Sequence, residues 1–292
     1  MAIDLHIHSI NSDGTDKVEE IVNRAIEMDL EAISITDHEY LTIPKKRDEI
    51  EVIQGIEVSA SWDELESFNK FAGIHLLIYF LDKGSSLIKH MEKIRDLKVQ
   101  RNGEIISKLN EEGIAIDESE LNNFPTKVPG RPHIAKLMYK KGYVSSINEA
   151  FIKYLGNGKV GDSRIHQESI ENLIELSKES KCLIFLAHPH TLMSNKNYSN
   201  NQKWVNDDFV CYVKKLLGLG IDGIETNYSS YSSEISTNLS NIAKNLNLLE
   251  SGGTDYHGEN RPNINIGFGY ENNPLKIPYE FLSKMKEKHA AI

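Results

Sequence analysis

Short apolar runs alternate with amphipathic helical patterns along most of the chain. The runs include 3–7, 32–35, 52–58, 73–80, 182–187 and 221–224. Several are rich in β-branched residues and bounded by Gly, Asp or Ser, as buried parallel strands are. Between the first two runs, Val18, Ile21, Val22, Ala25 and Ile26 line one helix face. Asp16 is placed to cap that helix and Glu19 to complete its capping box. Ile170, Leu173 and Ile174 repeat the helical spacing, as do Ile235, Leu239 and Ile242. Such alternation predicts an α/β fold, open or closed into a barrel. Residues 82–160 break the rhythm with charged helical patterns at 87–109, 134–143 and 146–155. They read as a helical insertion in a barrel domain made of 1–81 and 161–292.

Composition changes this picture little. The 292 residues are 39% apolar and 26% charged, ordinary for a globular chain with a sizeable core. No apolar run reaches the roughly 20 residues that span a bilayer, and the first residues do not resemble a signal peptide. Cys182 and Cys211 lie beside apolar segments and are expected to be buried, reduced thiols, so the cytoplasm is the expected location. The net charge of −10 argues against duplex nucleic acid as a partner, because such binding needs basic groups to displace counterions. A small phosphorylated substrate remains compatible, since a metal cluster can reverse the field inside one cleft.

The histidines carry the chemistry. His6 and His8 alternate onto one side of a strand, and Asp13 follows in the loop. His38 ends the second run, Glu57 sits in Gly55-Ile56-Glu57, and His75 lies in the fourth run. His188 follows the fifth, and Asp255 and His257 close a Gly-Gly-Thr-Asp-Tyr-His segment. In a barrel these strand ends meet at one face. Six imidazoles and three carboxylates buried together without compensation would be very costly, and metal ions supply that compensation. The carboxylates contribute −3 and three divalent ions would contribute +6, leaving about +3 for anions; two ions would leave +1. A Ser-His-Asp or Cys-His arrangement at recognisable spacing is missing, so a metal-activated water is the expected nucleophile. Imidazole and carboxylate ligands suit manganese, iron or zinc alike.

These elements, in this order, resemble the PHP (polymerase and histidinol phosphatase) family. The resemblance implies a distorted (β/α)7 TIM-like barrel with a trinuclear site. It also implies nine ligands: His6, His8, Asp13, His38, Glu57, His75, His188, Asp255 and His257. Glu57 would bridge two ions, and Asp37 would orient a ligand. The Gly130-Arg131-Pro132-His133 element and the 218–225 segment resemble the branch that removes phosphate from nucleoside 3′,5′-bisphosphates. Some relatives there degrade short oligonucleotides from the 5′ end. Arg131 and His133 are then candidate phosphate binders, a guanidinium being matched to a phosphate edge. A bland alternative makes Arg131 a surface ion-pair residue and Pro132 a helix start.

Two positions depart from the family pattern. His190 and Thr191 follow Pro189 where relatives often carry a small residue and an arginine, and Tyr231 stands where a histidine is common. Both His190 and Tyr231 are expected to face substrate. The expected activity is hydrolysis of a phosphate ester on a small nucleotide by two or three divalent ions. Asp13, His38, His257 and Arg131 would be closest to the chemistry, with the insertion over the barrel mouth. Rival expectations are a 5′-to-3′ exonuclease on short oligonucleotides, a histidinol-phosphate phosphatase and an amidohydrolase. An amidohydrolase would commonly need a bridging lysine at a strand end, and none is evident. The non-enzymatic rival is a regulatory PHP module, which a complete ligand set argues against.

Overall fold

Residues 3–8 alternate aliphatic and polar side chains, and strand β1 (Ala2–Ile7) buries both of its faces in the computed structural model, which describes residues 2–64, 73–156, 158–163, 167–193 and 202–292. Helix α1 (Val18–Glu27) returns the chain to β2 (Leu30–Ile35), which pairs in parallel with β1 and with the short β3 (Glu51–Val52). A second sheet has the order β6-β4-β5-β7-β8-β9. Its strands are β4 (Gly55–Ser61), β5 (Ile74–Tyr79), β6 (Glu168–Ser169), β7 (Leu183–Leu186), β8 (Gly223–Tyr228) and β9 (Leu249–Gly253).

Not every strand is parallel, as the apolar runs suggested. β5 runs antiparallel to both β4 and β7, while the other pairs in this sheet are parallel. A run of Ile and Leu buried on both faces carries no mark of direction, so the sequence pattern could not reveal the reversal.

Backbone hydrogen bonds join the two sheets at both seams. Glu57 N–H donates to Thr36 O at 3.1 Å and Glu39 N–H to Glu57 O at 2.9 Å. On the other side, His8 N–H donates to Tyr256 O at 2.9 Å and Asp255 N–H to His6 O at 2.8 Å. Gly253 makes this second seam possible: a Cβ there would lie 2.4 Å from the backbone nitrogen of His6.

Further α-helices among the described residues are α2 (Ser86–Glu111), α3 (Arg131–Lys140), α4 (Ile147–Ala150), α5 (Ile170–Glu179), α6 (Asp207–Leu219), α7 (Ser233–Asn245) and α8 (Tyr279–Ala290). Long α2 joins two cores. Leu87, Ile88, Met91 and Ile94 pack with β4, β5, β7 and α5, whereas Ile105, Ile106 and Leu109 pack with Ile134, Leu137 and Met138 of α3.

Two local expectations are corrected. Helix α1 begins after Lys17 rather than Asp16, and Glu20 rather than Glu19 accepts the N–H at its start, at 2.9 Å. Asp16 is drawn away because its carboxylate accepts the Tyr256 hydroxyl and pairs with Arg24 at 3.1 Å. Of the two free cysteines Cys182 is buried, but Cys211 lies on the exposed face of α6, whose apolar stripe runs through Phe209, Val213 and Leu216 instead. Among the described residues no helix is long and apolar enough to cross a membrane.

Candidate metal centre

Strand ends deliver the nine His, Asp and Glu side chains to one place. His6 and His8 project to the same side of β1 and are fully buried, and Asp13 arrives from the loop that follows. His38 lies beyond β2, Glu57 within β4, His188 beyond β7, and Asp255 and His257 beyond β9. His75 is the second residue of β5, and its reversed direction sets that start beside its neighbours' ends, opposite Ser59 of β4.

Glu57 is the hub. Its Oε1 lies 2.8 Å from His188 Nε2 and 2.9 Å from His75 Nδ1. Its Oε2 lies 3.0 Å from His8 Nε2, 3.4 Å from His6 Nε2 and 3.5 Å from His38 Nδ1. Asp255 Oδ1 approaches the same His8 and His6 nitrogens at 3.3 and 3.4 Å, and Asp13 Oδ1 approaches His257 Nε2 at 3.3 Å. The ligand atoms fall into three groups, each with its members within 4.8 Å of one another: His8, Asp13, His38 and His257; His6, His8, Glu57 and Asp255; Glu57, His75 and His188. Each group could hold a metal ion. The donor set fits one chemically: His6 Nε2, His8 Nε2 and His38 Nδ1 are buried without a hydrogen-bond partner, a costly state that a coordinated ion would relieve.

A surrounding layer fixes these side chains. Fully buried Glu225 accepts from His6 Nδ1 at 3.0 Å and from the backbone N–H of His188 at 2.6 Å. With its proton on Nδ1, the neutral His6 ring turns a lone pair on Nε2 toward the cluster. His257 Nδ1 donates to the Asp255 carbonyl at 2.8 Å, with the same consequence. Among the described residues the Asp37 carboxylate hydrogen-bonds hydroxyls and backbone rather than a histidine ring. It gathers the loop carrying Asp13 by accepting Ser9 N–H at 2.8 Å, Ser9 Oγ at 2.6 Å and Ser12 Oγ at 2.6 Å. His188 and Asp255 hold positive φ angles of 26° and 55°, unusual for residues with a Cβ, and such strain clusters at functional sites.

Charge coupling is strong here. Burial alone would raise the Glu57 carboxyl, but His38, His6 and His75 hold it well below the usual carboxylate range. Asp13 is likewise held low, mainly by His257 and His38, and Asp255 by Arg261 and His6. Burial disfavours a charged His8, yet Asp255 and Glu57 pull it up to about 10.

The expected substrate contacts fare differently. Arg131 lines a cleft of about 220 Å³ that opens onto Asp13, His38, Glu57 and His257, and its Nη1 also donates to Leu155 O at 3.2 Å. His133 lines the cleft but is committed to backbone rather than free for a phosphate. Its Nδ1 accepts the Gly130 N–H at 3.1 Å, its ring also bonds the Ser12 backbone, and burial lowers its pKa to about 4. His190 and Tyr231 face each other, His190 Nδ1 lying 2.8 Å from the Tyr231 hydroxyl. His190 borders a neighbouring groove with Tyr228 and Arg261, and Tyr231 is buried in the main core.

Sequence reading singled out the 218–225 segment without giving Glu225 a role, and it missed Lys98, Arg101 and Arg261. Glu225 had a signal, since Gly223-Ile224-Glu225 repeats the tripeptide around Glu57. Arg261 had none: it reaches back from the loop after β9 to pair with Asp255 and to donate to the Tyr228 hydroxyl at 3.0 Å.

Residues 4–219 match the PHP domain family. A 5′-3′ exoribonuclease of Haemophilus influenzae is 28% identical over 261 residues, covering 87% of this chain and 89% of that one. A 3′,5′-nucleoside bisphosphate phosphatase of Chromobacterium violaceum is 24% identical over 285 residues, covering 94% of each. Among solved structures, a Bifidobacterium adolescentis protein described as a metal-dependent phosphoesterase superposes with a TM-score of 0.76 at 20% identity, over 98% of this chain and 96% of that one.

Proposed function

The chain belongs to the PHP domain family, and on that premise we propose that it hydrolyses a phosphate ester of a small nucleotide, with a nucleoside 3′,5′-bisphosphate as the expected substrate. The observation that carries this reading is the convergence of nine ligand-type side chains around buried ring nitrogens without partners. We read β1, β2, β4, β5, β7, β8 and β9, with their bridging seams, as one distorted seven-stranded barrel. Residues 82–160 are the inserted segment over its mouth. Thr126 Oγ1 supports this by donating to Asn11 O and Ser12 O at 3.0 and 2.6 Å, beside the loop that carries Asp13.

The three groups would hold two or three divalent ions, manganese, iron or zinc, with Glu57 shared between two of them. Such ions, when bound, supply Lewis acidity toward phosphoryl oxygens and lower the pKa of water toward neutrality. The chain supplies the rest. Glu225 and the Asp255 carbonyl keep protons on the Nδ1 atoms of His6 and His257. Asp13 and His38, 14% and 19% exposed, open onto the cleft with His257 and face the reacting phosphoryl group. Arg131 holds its oxygens. His133 orders the first turn of α3 behind Arg131.

A second reading, 5′-to-3′ removal of nucleotides from short RNA, draws on the Haemophilus relative and needs the same site. Metal-stripped protein resupplied with manganese, beside His257→Ala, decides between them. Phosphate release from adenosine 3′,5′-bisphosphate, lost in the variant, supports the first reading. Mononucleotide release from a 5′-phosphorylated trinucleotide alone moves the function to exonuclease. Silence on both, with metal bound, sinks the proposal.

A further inference from the structure

Two cavities meet at the ligand cluster. The cleft described above shares Asp13, Pro132, Phe151, His257 and Arg261 with a second chamber of about 180 Å³ beside α3. A phosphoryl group at Asp13 and His257 therefore lies at a junction with space on either side. The two spaces differ in chemistry. Away from the shared residues the cleft presents Ser12, Ser59, Lys98 and Arg101, which suit anionic oxygens. The chamber adds Ile147 to Pro132 and Phe151, all three apolar and partly buried. Its polar groups are already engaged. Lys136 Nζ lies 6.0 Å from the centre of the Phe124 ring and feels the charges of Asp13 and Glu259, and Asn260 donates to the Asp13 carbonyl.

Phe151 supplies the phenyl ring of the shared wall. It opens a one-turn π-helix (Phe151–Leu155) directly after α4, in which Gly156 N–H donates to Phe151 O at 2.8 Å. Such widened turns are rare and recur at functional sites. At the other end of this turn, Leu155 O accepts from Arg131 Nη1 at 3.2 Å. The turn thus ties the ring to the arginine assigned above to phosphoryl oxygens. One part of the ring packs on the smaller core, and the rest keeps apolar surface that a ligand can cover. A nucleobase is flat and has a π-face of its own, whatever its edge carries.

We propose that the chamber beside α3 is a nucleobase subsite, in which Phe151 stacks on the base while a phosphoryl group lies at the histidine–carboxylate cluster. The placement rests on the phosphoesterase reading. Recognition is by the face of the base rather than its edge, so purine and pyrimidine nucleotides are both accepted. Phosphate esters that carry no base gain nothing from the chamber and are poorer substrates. Phe151 is therefore a specificity-determining residue, distinct from the groups that touch the reacting phosphorus.

The test uses the full, manganese-loaded chain and two substrates that differ only in the base: 2′-deoxyadenosine 3′,5′-bisphosphate and 1,2-dideoxyribose 3,5-bisphosphate. Phe151→Leu keeps apolar bulk for the smaller core and removes the aromatic face, whereas Phe151→Tyr keeps the face. The kcat/KM ratio of base-bearing to abasic substrate is expected to fall about fivefold or more in Phe151→Leu and to stay within about twofold of wild type in Phe151→Tyr. An equal loss on both substrates, or no loss, overturns the subsite and leaves Phe151 a packing residue. If wild type turns over neither substrate, the bisphosphate reading falls, and calorimetry with the same two compounds on metal-stripped protein decides the subsite. Tighter binding of the base-bearing compound, abolished in Phe151→Leu and kept in Phe151→Tyr, leaves it standing. Equal binding of the two compounds by wild type overturns it.

Discussion

Glu57 and Glu225 close the same Gly-Ile-Glu tripeptide on β4 and β8, yet they act at different depths. Glu57 faces the lone-pair side of five imidazoles, whereas Glu225 braces the far side of one of them. A carboxylate behind a ligand histidine sets its tautomer and basicity, and losing one typically costs 10–100-fold in metal affinity. Glu225→Gln is therefore expected to fold and to bind manganese about 10–100-fold more weakly, measured by competition with a chromogenic chelator. Unchanged affinity would mean that the bond to His6 Nδ1 carries no weight at the metal.

At the scale of elements, two placements matter most. β5 is reversed, and this brings His75 to the site from a strand's beginning rather than its end. Helix α3 starts on the cleft and depends on a neutral His133, whose Nδ1 accepts the Gly130 N–H. Its folded pKa of about 4 lies below the ordinary 6.5. The folded state therefore binds fewer protons than the unfolded chain between these values. The contribution to stability is complete above pH 6.5 and is lost as pH falls toward 4. At pH 5 the loss is about 2 kcal/mol. Urea unfolding of wild type and His133→Asn at pH 7 and pH 5 should show the wild type losing that much more. Parallel losses would remove His133 from the acid limb.

Across the whole molecule, the site and its cover are built from segments far apart in sequence. Residues from β1 to the loop beyond β9 meet at Glu57, and α2 ties the core around β4 and β5 to the smaller core around α3. Ions that bind only the assembled site stabilise it by mass action, about 2.7 kcal/mol at a hundredfold excess over Kd. Chelation should thus lower Tm by about 5 °C or more, and added manganese should restore it in a concentration-dependent way. A calorimetric Tm indifferent to chelator and manganese would show that the cluster binds no ion tightly enough to matter.

The chain by itself determined its strand and helix segments and the ligand-type side chains at strand ends. Period-two alternation of His6 and His8, apolar runs ending in His or Asp, and helical spacing of aliphatic residues are local patterns, legible without tertiary contact. Tertiary structure alone decided the rest. The direction of β5 was hidden because a doubly buried strand reads alike both ways. The start of α1 moved because Tyr256 and Arg24, one of them distant in sequence, captured Asp16. The partners of His133, His190 and Tyr231 were hidden because the groups they bond are set by packing rather than by neighbours in the chain. Lys98, Arg101 and Arg261 gained a place at the cleft for the same reason: charge acts through space, and only folding sets the distances.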